Sequence, residues 1–158
     1  MSQASTPVSY THLDVYKRQG YNRPRVAVLA GIEKVNPKMK ETVEAAALKE
    51  MNRNGEIGGC VVEGPISVDI ALSKEKARQK DFVSEVAGEA DILLVPDLCC
   101  GNCIAKILLE MAGGRMAGVV VGAAVPIVLT SRSSSMEEKY LSIVISAAFS
   151  ARKIKNLE

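Results

Sequence analysis

The stretch Asp91–Asn102 reads DILLVPDLCCGN, and it decides what kind of fold the chain builds. Its first half, Asp91–Pro96, is apolar on both faces of an extended chain, which is typical of a strand in a sheet that helices cover on both sides. The loop Pro96–Asn102 follows directly, and a helix is predicted from Asn102 to Met111. We therefore expect a central strand of a mostly parallel sheet, with the loop at its carboxyl end.

The rest of the chain alternates short apolar runs with helical patterns, which predicts an α/β fold. A helix is predicted from Asn36-Pro37, because Asn is a good N-cap and Pro fits the first helical position, and Asn54-Gly55 ends it. Ser67–Lys80 is predicted to be partly helical and Phe82–Ala90 to be a connector. The remaining predicted elements are strands at Val26–Ala30, Ile57–Glu63 (ended by Gly64-Pro65), Val119–Val121 and Ile127–Leu129, and a final helix at Met136–Ile154.

Helical spacing also predicts which side chains face the core. The inward residues are Met39, Val43, Ala46, Ala47 and Met51 in the first helix; Ile104, Ile107, Leu108 and Met111 in the second; and Tyr140, Leu141, Val144, Ile145 and Ala148 in the last. The last two strands are joined only by Ala123–Pro126. Because a parallel crossover needs a dozen or more residues, these two strands should be antiparallel.

The composition limits the classes of function that the chain can have. The 158 residues carry 20 Lys and Arg against 18 Asp and Glu, a net charge of +2, which argues against a strongly basic nucleic-acid binder. Hydrophobic residues make up 47% and charged residues 24%, as in a globular protein. No apolar run approaches the roughly 18 residues of a membrane span, and the N-terminus lacks the apolar core of a signal peptide. We expect a cytoplasmic protein with no membrane or nucleic-acid partner.

Residues 1–19, MSQASTPVSYTHLDVYKRQ, have no helical or strand period. Their stretch SYTHLDVYKRQ resembles a translated adaptor or vector segment, so they are predicted to be a foreign, disordered leader; the alternative is a native disordered arm. The only histidine, His12, lies in this leader. A domain without histidine has no Ser-His-Asp triad, HExxH zinc site or histidine base.

The loop Thr130–Ser135, TSRSSS, lies between a predicted strand and the last helix. Ser134 with Glu137, and Ser135 with Glu138, both fit a capping box. A helix N-terminus favours a bound anion, and the guanidinium of Arg132 offers a donor fork that matches phosphate. The alternative is a helix cap beside an ordinary surface arginine.

Two further loops follow strand ends. In the loop before Asn102, Gly101 lets the backbone approach a ligand closely and Asn102 offers an amide. The stretch Glu33–Met39 carries Lys34 and Lys38 and either lines an anionic site or is a solvated turn. The glycine-rich Gly113–Gly118 is interpreted as a helix stop, because a phosphate-binding loop needs a strand before it and a helix after it.

Cysteine chemistry is the least favoured reading. Cys100 and Cys103 form a C-x-x-C at a helix start, a spacing that redox and metal sites use. A structural zinc site takes four Cys or His ligands, and Cys60 should lie at the opposite edge of the sheet. No metal site is therefore predicted.

Taken together, these loops resemble those of the phosphate acetyl/butyryltransferase family, most closely its butyryltransferases, from about Arg25 to Ala148. The stretches that carry the resemblance are EKVNPKM (33–39), TVEAAALKEMN (42–52), VEGPISVDIALS (62–73), VAGEADILLVPDLCCGN (86–102) and AGVVVGAAVPIVLTSR (117–132). The resemblance implies an isocitrate-dehydrogenase-like fold of two α/β domains around a cleft. It also implies a reaction of acyl-CoA with phosphate to give acyl phosphate and CoA, with no cofactor beyond these substrates, in a homo-oligomer.

The resemblance further implies roles for individual residues. Arg132 would hold phosphate or the thioester carbonyl, and Ser131 would donate a hydrogen bond near the sulfur. The family usually has an acidic residue where Ser134 stands here, so Glu138 is the substitute expected for the base. The expected substrate-binding residues are Lys34, Asn36, Lys38, Gly64, Pro65, Asp69, Gly101, Asn102, Thr130 and Ser134.

The family's enzymes are longer than this chain. Residues 20–129 are expected to form most of a second α/β domain with helices on both faces of a mixed sheet, and residues 130–158 to return to a first domain. The last helix should then expose an apolar face, and the fragment should have little activity alone. Two alternatives stay open: a non-catalytic dimerisation module, or a C-x-x-C redox protein.

Overall fold

The computed structural model describes residues 21–120, 123 and 125–155, and the predicted leader lies outside them. The chain divides into two compact units. The first comprises Gly20–Asn102, and the described part of the second begins at Cys103. The predicted division between residues 129 and 130 concerns the domains of a longer protein, and it stays a prediction.

Three parallel strands form the sheet of the first unit, in the order β2-β1-β3. They are β1 (Arg25–Leu29), β2 (Val61–Ile66) and β3 (Ile92–Leu94). The predicted α/β class with a parallel sheet is therefore confirmed. The central strand is β1, however, and the prediction that Asp91–Pro96 forms it is wrong for the described sheet. All three residues of β3 are half-buried, so its continuous apolar run does not reflect a central position.

The first strand supplies the core, because Val26, Ala27, Val28 and Leu29 are all buried. Its polar first residue, Arg25, is tied to the residue before β3. The Arg25 guanidinium donates to both carboxylate oxygens of Asp91, at 3.0 and 3.1 Å, and to Glu89 at 2.8 Å. A two-pronged arginine–carboxylate pair of this kind fixes the relative position of the two strands.

The first helix, α1 (Lys40–Arg53), begins later than predicted. Asn36 does not cap it; its side-chain oxygen instead accepts the Lys38 N–H within a turn. The helix ends as predicted, because Gly55 adopts the positive φ of 80° that follows the helix end.

The side of α1 that packs in the unit also differs from the predicted one. Its buried residues are Thr42 and Ala45, whereas Val43 is 43% exposed and Ala47 is exposed. The prediction failed because the packed side carries polar groups that find specific partners. Thr42 donates to the carbonyl oxygen of Met39, and its hydroxyl accepts the Asn36 N–H.

Asn52 lies two turns after Ala45 on the same side of α1, and its side chain contacts the segment before β2. Its amide nitrogen donates to the carbonyl oxygens of Ile57 and Cys60, and its amide oxygen accepts the Val62 N–H. These three bonds satisfy backbone groups that have no partner in a helix or sheet ladder.

The second strand runs through Gly64 and Pro65, which were predicted to end it, and the peptide bond between them is cis. A proline cannot donate to a sheet ladder and is tolerated at an edge. β2 is an edge strand, and its register against β1 shifts between Ala27 and Leu29. Two short helices follow as predicted, α2 (Val68–Leu72) and α3 (Lys74–Gln79).

The helix α4 (Leu98–Glu110) begins four residues before the predicted start at Asn102. Asp97 caps it, because its carboxylate accepts the Cys100 N–H at 2.7 Å. Glycine is a poor helix former, which is why Gly101 was placed in a loop. Gly113, with a φ of 63°, follows the helix end as predicted. The predicted inward face is wrong: none of its residues is buried, and Met111 is 82% exposed.

The second unit holds β4 (Val119–Val120), β5 (Ile127–Val128) and α5 (Met136–Lys155). The two strands pair antiparallel, as their short connection predicted. Within the described residues they form a separate two-stranded sheet, not a continuation of the parallel one. Val121, the predicted last residue of the first of these strands, lies outside the described residues.

The buried side of α5 is mostly polar. It consists of Ser142, Ser146 and Phe149, whereas Tyr140 is 66% and Val144 43% exposed. The prediction that these two residues and Ala148 face inward is therefore wrong. Ser142 takes the inward position because its hydroxyl donates to the Glu138 carbonyl and accepts the Gly118 N–H.

Candidate active site

Four polar side chains meet where β1 and β2 end, a cluster formed by Glu33, Ser67, Asp69 and Lys80. The Ser67 hydroxyl donates to Glu33 at 2.5 Å. The Lys80 ammonium lies 2.9 Å from the same Glu33 oxygen and 3.2 Å from Asp69. The carboxyl ends of parallel strands are the usual ligand-binding edge of an α/β sheet. The cluster therefore fixes the two loops that border this edge.

The electrostatics of the cluster favour its charged forms. The hydrogen bond from Ser67, and then that from Lys80, lower the pKa of both Glu33 and Asp69. Hydrogen bonds to Glu33 and Asp69 raise the pKa of Lys80 in turn. Of the four, the sequence had singled out only Asp69. Ser67 and Glu33 could have been noticed as polar residues just after strand ends, but no local signal points to Lys80.

The loop after β1 presents two of the predicted residues to solvent. Lys34 and Lys38 are exposed, and Asn36 is half-buried. The backbone of Asn36 is held at both ends, because its N–H donates to the Thr42 hydroxyl and its carbonyl accepts the Met39 N–H. The two lysines therefore project from a fixed turn.

Gly64 and Pro65 are both buried in β2, and their predicted role in substrate binding stays a prediction. A Cβ on Gly64 would lie 2.8 Å from the Cβ of Val28 and 3.1 Å from that of Ala45. Glycine is therefore required by packing here. The preceding Glu63 is buried and accepts from Lys49.

The start of α4 holds the two residues predicted beside the cleft. Gly101 is half-buried, and a Cβ on it would lie 3.0 Å from a methyl carbon of Val95. Asn102 is exposed on the next helical position. Both residues therefore lie at the carboxyl end of β3, as predicted, but on a helix.

Cys60 is buried, whereas Cys99 and Cys103 are exposed. Within the described ranges, no three His, Cys, Asp or Glu side chains are grouped so as to hold a metal ion. In the same part of the chain, no helix combines the length and apolar character that a membrane span needs.

In the second unit, the loop before α5 is held by its own serines. Ser134 is buried, and its hydroxyl accepts the Ser131 N–H at 2.9 Å. Ser135 and Glu138 form the predicted capping box, with bonds of 3.2 and 2.7 Å. The alternative box of Ser134 with Glu137 does not form, because Glu137 pairs with Arg115.

Arg132 projects from this loop into solvent together with Thr130 and Ser131. Among the residues that the structure describes, no hydrogen bond or ion pair engages its guanidinium. One carboxylate oxygen of Glu138 accepts the Ser135 N–H. The structure thus gathers Thr130, Ser131, Arg132 and Ser134 in one loop, and places Glu138 in the first turn of the helix that follows.

Comparisons with known proteins match this arrangement to one family. The sequence profile described as "Phosphate acetyl/butaryl transferase" matches residues 6–147. The chain belongs to this family. The match begins inside the segment predicted to be foreign, and the foreign origin of residues 1–19 stays a prediction.

The chain is similar to several phosphate acyltransferases along most of its length. It is 48% identical to the phosphate acetyltransferase of Thermotoga maritima over 82% of this chain and 44% of that protein. It is 44% identical to the phosphate butyryltransferase of Clostridium acetobutylicum over 85% of this chain and 44% of that protein. The chain therefore spans less than half the length of these relatives.

The fold matches a solved structure of the same kind. A branched-chain phosphotransacylase from Enterococcus faecalis V583 superposes with a TM-score of 0.81 and 34% identity, over 90% of this chain and 51% of that one. Both acetyl and butyryl enzymes are among the relatives, so similarity alone does not select an acyl length.

Proposed function

We propose that the chain is part of an enzyme that transfers a short acyl group, butyryl or similar, from acyl-CoA to inorganic phosphate. The products are acyl phosphate and CoA. The observation that carries the proposal is the exposed Arg132, whose guanidinium has no partner among the described residues, in a loop that hydrogen bonds fix at the start of the 20-residue helix α5. Membership of the phosphate acetyl/butyryltransferase family supports the reaction class.

The reaction needs positive charge more than it needs a protein nucleophile. A phosphate oxygen attacks the thioester carbonyl carbon, the carbonyl oxygen becomes an oxyanion, and the C–S bond then breaks as CoA leaves and takes a proton. Two anionic reactants must approach each other in this step. Arg132 offsets their repulsion and stabilises the oxyanion, and the adjacent helix N-terminus adds partial positive charge. Phosphate attacks directly, so the proposal includes no cofactor.

Other residues position the reactants. Ser131 donates toward the sulfur, and Thr130 and Ser134 shape the loop around it. Glu138 takes the proton of the attacking phosphate through the carboxylate oxygen that is not used in the capping box.

In the first unit, Lys34 and Lys38 offer positive charge that suits the phosphate groups of CoA, and Asn102 offers an amide at the start of α4. Asp69, together with Lys80, holds the loop that carries Lys34.

At the level of the whole protein, we propose an isocitrate-dehydrogenase-like enzyme of two α/β domains, helices on both faces of the larger sheet, a homo-oligomeric state and a cytoplasmic location. The apolar side chains that α5 exposes, Met136, Tyr140, Ile143 and Val144, support contact with a further domain or subunit.

The experiment measures CoA thiol release from butyryl-CoA and acetyl-CoA in the presence of phosphate. We expect little release from the 158-residue chain alone. A fusion protein in which residues 21–155 replace the matching part of the Thermotoga maritima phosphate acetyltransferase should release CoA. No release by a folded fusion protein with any acyl length would contradict the proposal.

Substitution of Arg132 gives the sharpest test in that fusion protein. Arg132→Ala should lower kcat about 100- to 1000-fold, the loss typical of removing one oxyanion donor. Arg115→Ala is the matched control, because Arg115 is an exposed arginine of the same unit that pairs with Glu137. It should leave CoA release nearly unchanged. Equal effects of the two substitutions would remove Arg132 from the reaction.

A second candidate function rests on the exposed apolar stripe of α5: the chain is a non-catalytic dimerisation module. In this case the chain should form dimers at micromolar concentration, which light scattering measures. The presence of residues 130–135 should then give the fusion protein no CoA-releasing activity.

A further inference from the structure

Three of the four cysteines lie within the first two turns of the helix α4, which runs from Leu98 to Glu110. Cys99 and Cys103 are exposed, and Cys100 is half-buried. All three belong to one continuous helix, so helix geometry alone sets their spacing. They thus form a group of nucleophilic side chains that solvent reaches and that the proposed acyl transfer does not use.

The spacing of Cys100 and Cys103 suits a disulfide better than that of any other cysteine pair on this helix. The Cα atoms of residues three positions apart in an α-helix are separated by about 5 Å, and a disulfide needs a Cα separation of about 4.4–6.8 Å. Cys99 and Cys103 are four positions apart, so their Cα atoms are separated by about 6 Å, nearer the upper limit. Cys99 and Cys100 are adjacent, and adjacent side chains on a helix do not face each other.

The disulfide requires a small change in the first turn of α4. The Cβ atoms of residues three apart in a helix are separated by about 5–6 Å, whereas a disulfide brings them to about 3.5–4.5 Å. Gly101 lies between the two cysteines, and a residue without a Cβ accommodates changes in φ and ψ more readily than others. Two hydrogen bonds hold this turn, because Asp97 accepts the Cys100 N–H at 2.7 Å through its carboxylate and the Gly101 N–H at 3.1 Å through its carbonyl. Closing the disulfide therefore moves a single turn at the end of the helix.

We propose that Cys100 and Cys103 form a reversible disulfide, which makes the start of α4 a modification site for small disulfides. Strained or exposed disulfides are reduced more easily than buried structural ones, and such bonds are typical of regulatory sites. Formation of the bond is independent of the proposed function, whereas its effect on catalysis rests on that function. Asn102, which offers an amide in the proposed reaction, lies between the two cysteines and changes position when the bond forms.

The exchange takes place in two steps. The exposed Cys103 attacks, as the thiolate, one sulfur of a small disulfide RSSR; the S–S bond breaks and RS⁻ leaves. The half-buried Cys100 then attacks the Cys103 sulfur of the mixed disulfide and displaces the second RS⁻. In total, two thiols are oxidised to one disulfide and RSSR is reduced to two RSH, which take up the two protons of the cysteines through solvent.

The test incubates the 158-residue chain with glutathione disulfide and identifies the products by mass spectrometry. We expect a loss of two hydrogens that links Cys100 to Cys103, while the buried Cys60 stays unmodified. Dithiothreitol should restore both thiols. Mixed disulfides with glutathione on the exposed cysteines without an internal bond, or an internal bond between other cysteines, would overturn the proposal.

Two serine substitutions locate the bond. Cys100→Ser should abolish the internal disulfide and leave glutathione bound to Cys103. Cys99→Ser is the matched control, because Cys99 is exposed on the same turn and has Asn102, not a cysteine, three positions along. It should form the internal disulfide as the unaltered chain does. An internal disulfide in Cys100→Ser, or its loss in Cys99→Ser, would assign the bond to Cys99 and Cys103 and overturn the proposal.

The effect on catalysis is measured in the fusion protein, as the initial rate of CoA release after the excess glutathione disulfide is removed. Oxidation should slow this rate at least fivefold, and Cys100→Ser should make the fusion protein insensitive to the oxidant. If the disulfide forms and CoA release is unchanged, the regulatory effect is wrong and the acyl-transfer proposal stands. If the disulfide forms and neither the oxidised nor the reduced fusion protein releases CoA, the acyl-transfer proposal alone is wrong.

Discussion

The two units of the chain differ in how they are held together. In the first unit, residues 20–102, buried side chains come from β1, β2, α1, α2 and α3. In the described part of the second unit, Phe149 is the only buried apolar side chain, and the other buried ones are Ser134, Ser142 and Ser146. The first unit thus has a hydrophobic core of its own, whereas the described part of the second buries mostly serines and leaves its large apolar side chains exposed. Hydrophobic burial is the dominant stabilising force in folding, so stability should depend mostly on the first unit.

The largest expected effect is therefore a change in the core of the first unit. Gly64→Ala should lower the free energy of unfolding by about 3 kcal/mol, because the new methyl group would overlap Val28 and Ala45 in a packed interior. Chemical denaturation followed by circular dichroism measures it. Gly58→Ala is the matched control, since no atom lies within 4 Å of a Cβ at Gly58, and it should change little. Similar losses in both variants would show that the interior around Gly64 is not closely packed.

The contrast between the units also explains what the sequence could and could not predict. In the first unit, β1 and β3 were found because each contains a continuous apolar run, and in the second unit the antiparallel pair was found because four residues cannot make a crossover. The packed side of α1 was missed because Thr42 and Asn52 are polar and are satisfied only by partners that appear in the folded chain. Amphipathic periodicity has no means of recognising such residues.

The residues of the candidate site also differ in whether the sequence could predict their contacts. The capping box of Ser135 and Glu138 is local, so its spacing predicted it correctly. Lys80 lies 47 residues from Glu33, and only the fold brings their charges together.

A smaller effect is expected from the ion pair that joins β1 to the start of β3. The hydrogen bond from Arg25 holds the pKa of Asp91 below its usual value of 3.8. A carboxylate with a lowered pKa in the folded state stabilises fully above the unfolded pKa, and this contribution is lost as the pH falls through the folded pKa. The free energy of unfolding should thus decrease below about pH 4, with Asp91 contributing to this decrease.

Urea denaturation at pH 6 and at pH 3 measures this contribution. Asp91→Asn should lose the stability at pH 6 and show a shallower decrease toward pH 3. Glu137→Gln is the control in the second unit, because the pair of Arg115 and Glu137 is more than half exposed and should contribute little. An unchanged pH dependence in Asp91→Asn would assign the acid sensitivity to other groups.

The smallest effect on stability is expected on the exposed face of α5. Ile143 is 58% exposed, so Ile143→Ser removes little buried surface and should change the free energy of unfolding by less than about 0.5 kcal/mol. Phe149→Ser, on the buried side of the same helix, should cost several times more if the second unit unfolds together with the first. The same Ile143 substitution should nevertheless reduce self-association, as light scattering measures, because it interrupts the apolar stripe. A stability loss as large as that of Phe149→Ser would mean that α5 packs through this face within a single chain. The second unit would then have a hydrophobic core of its own, and the difference between the units would disappear.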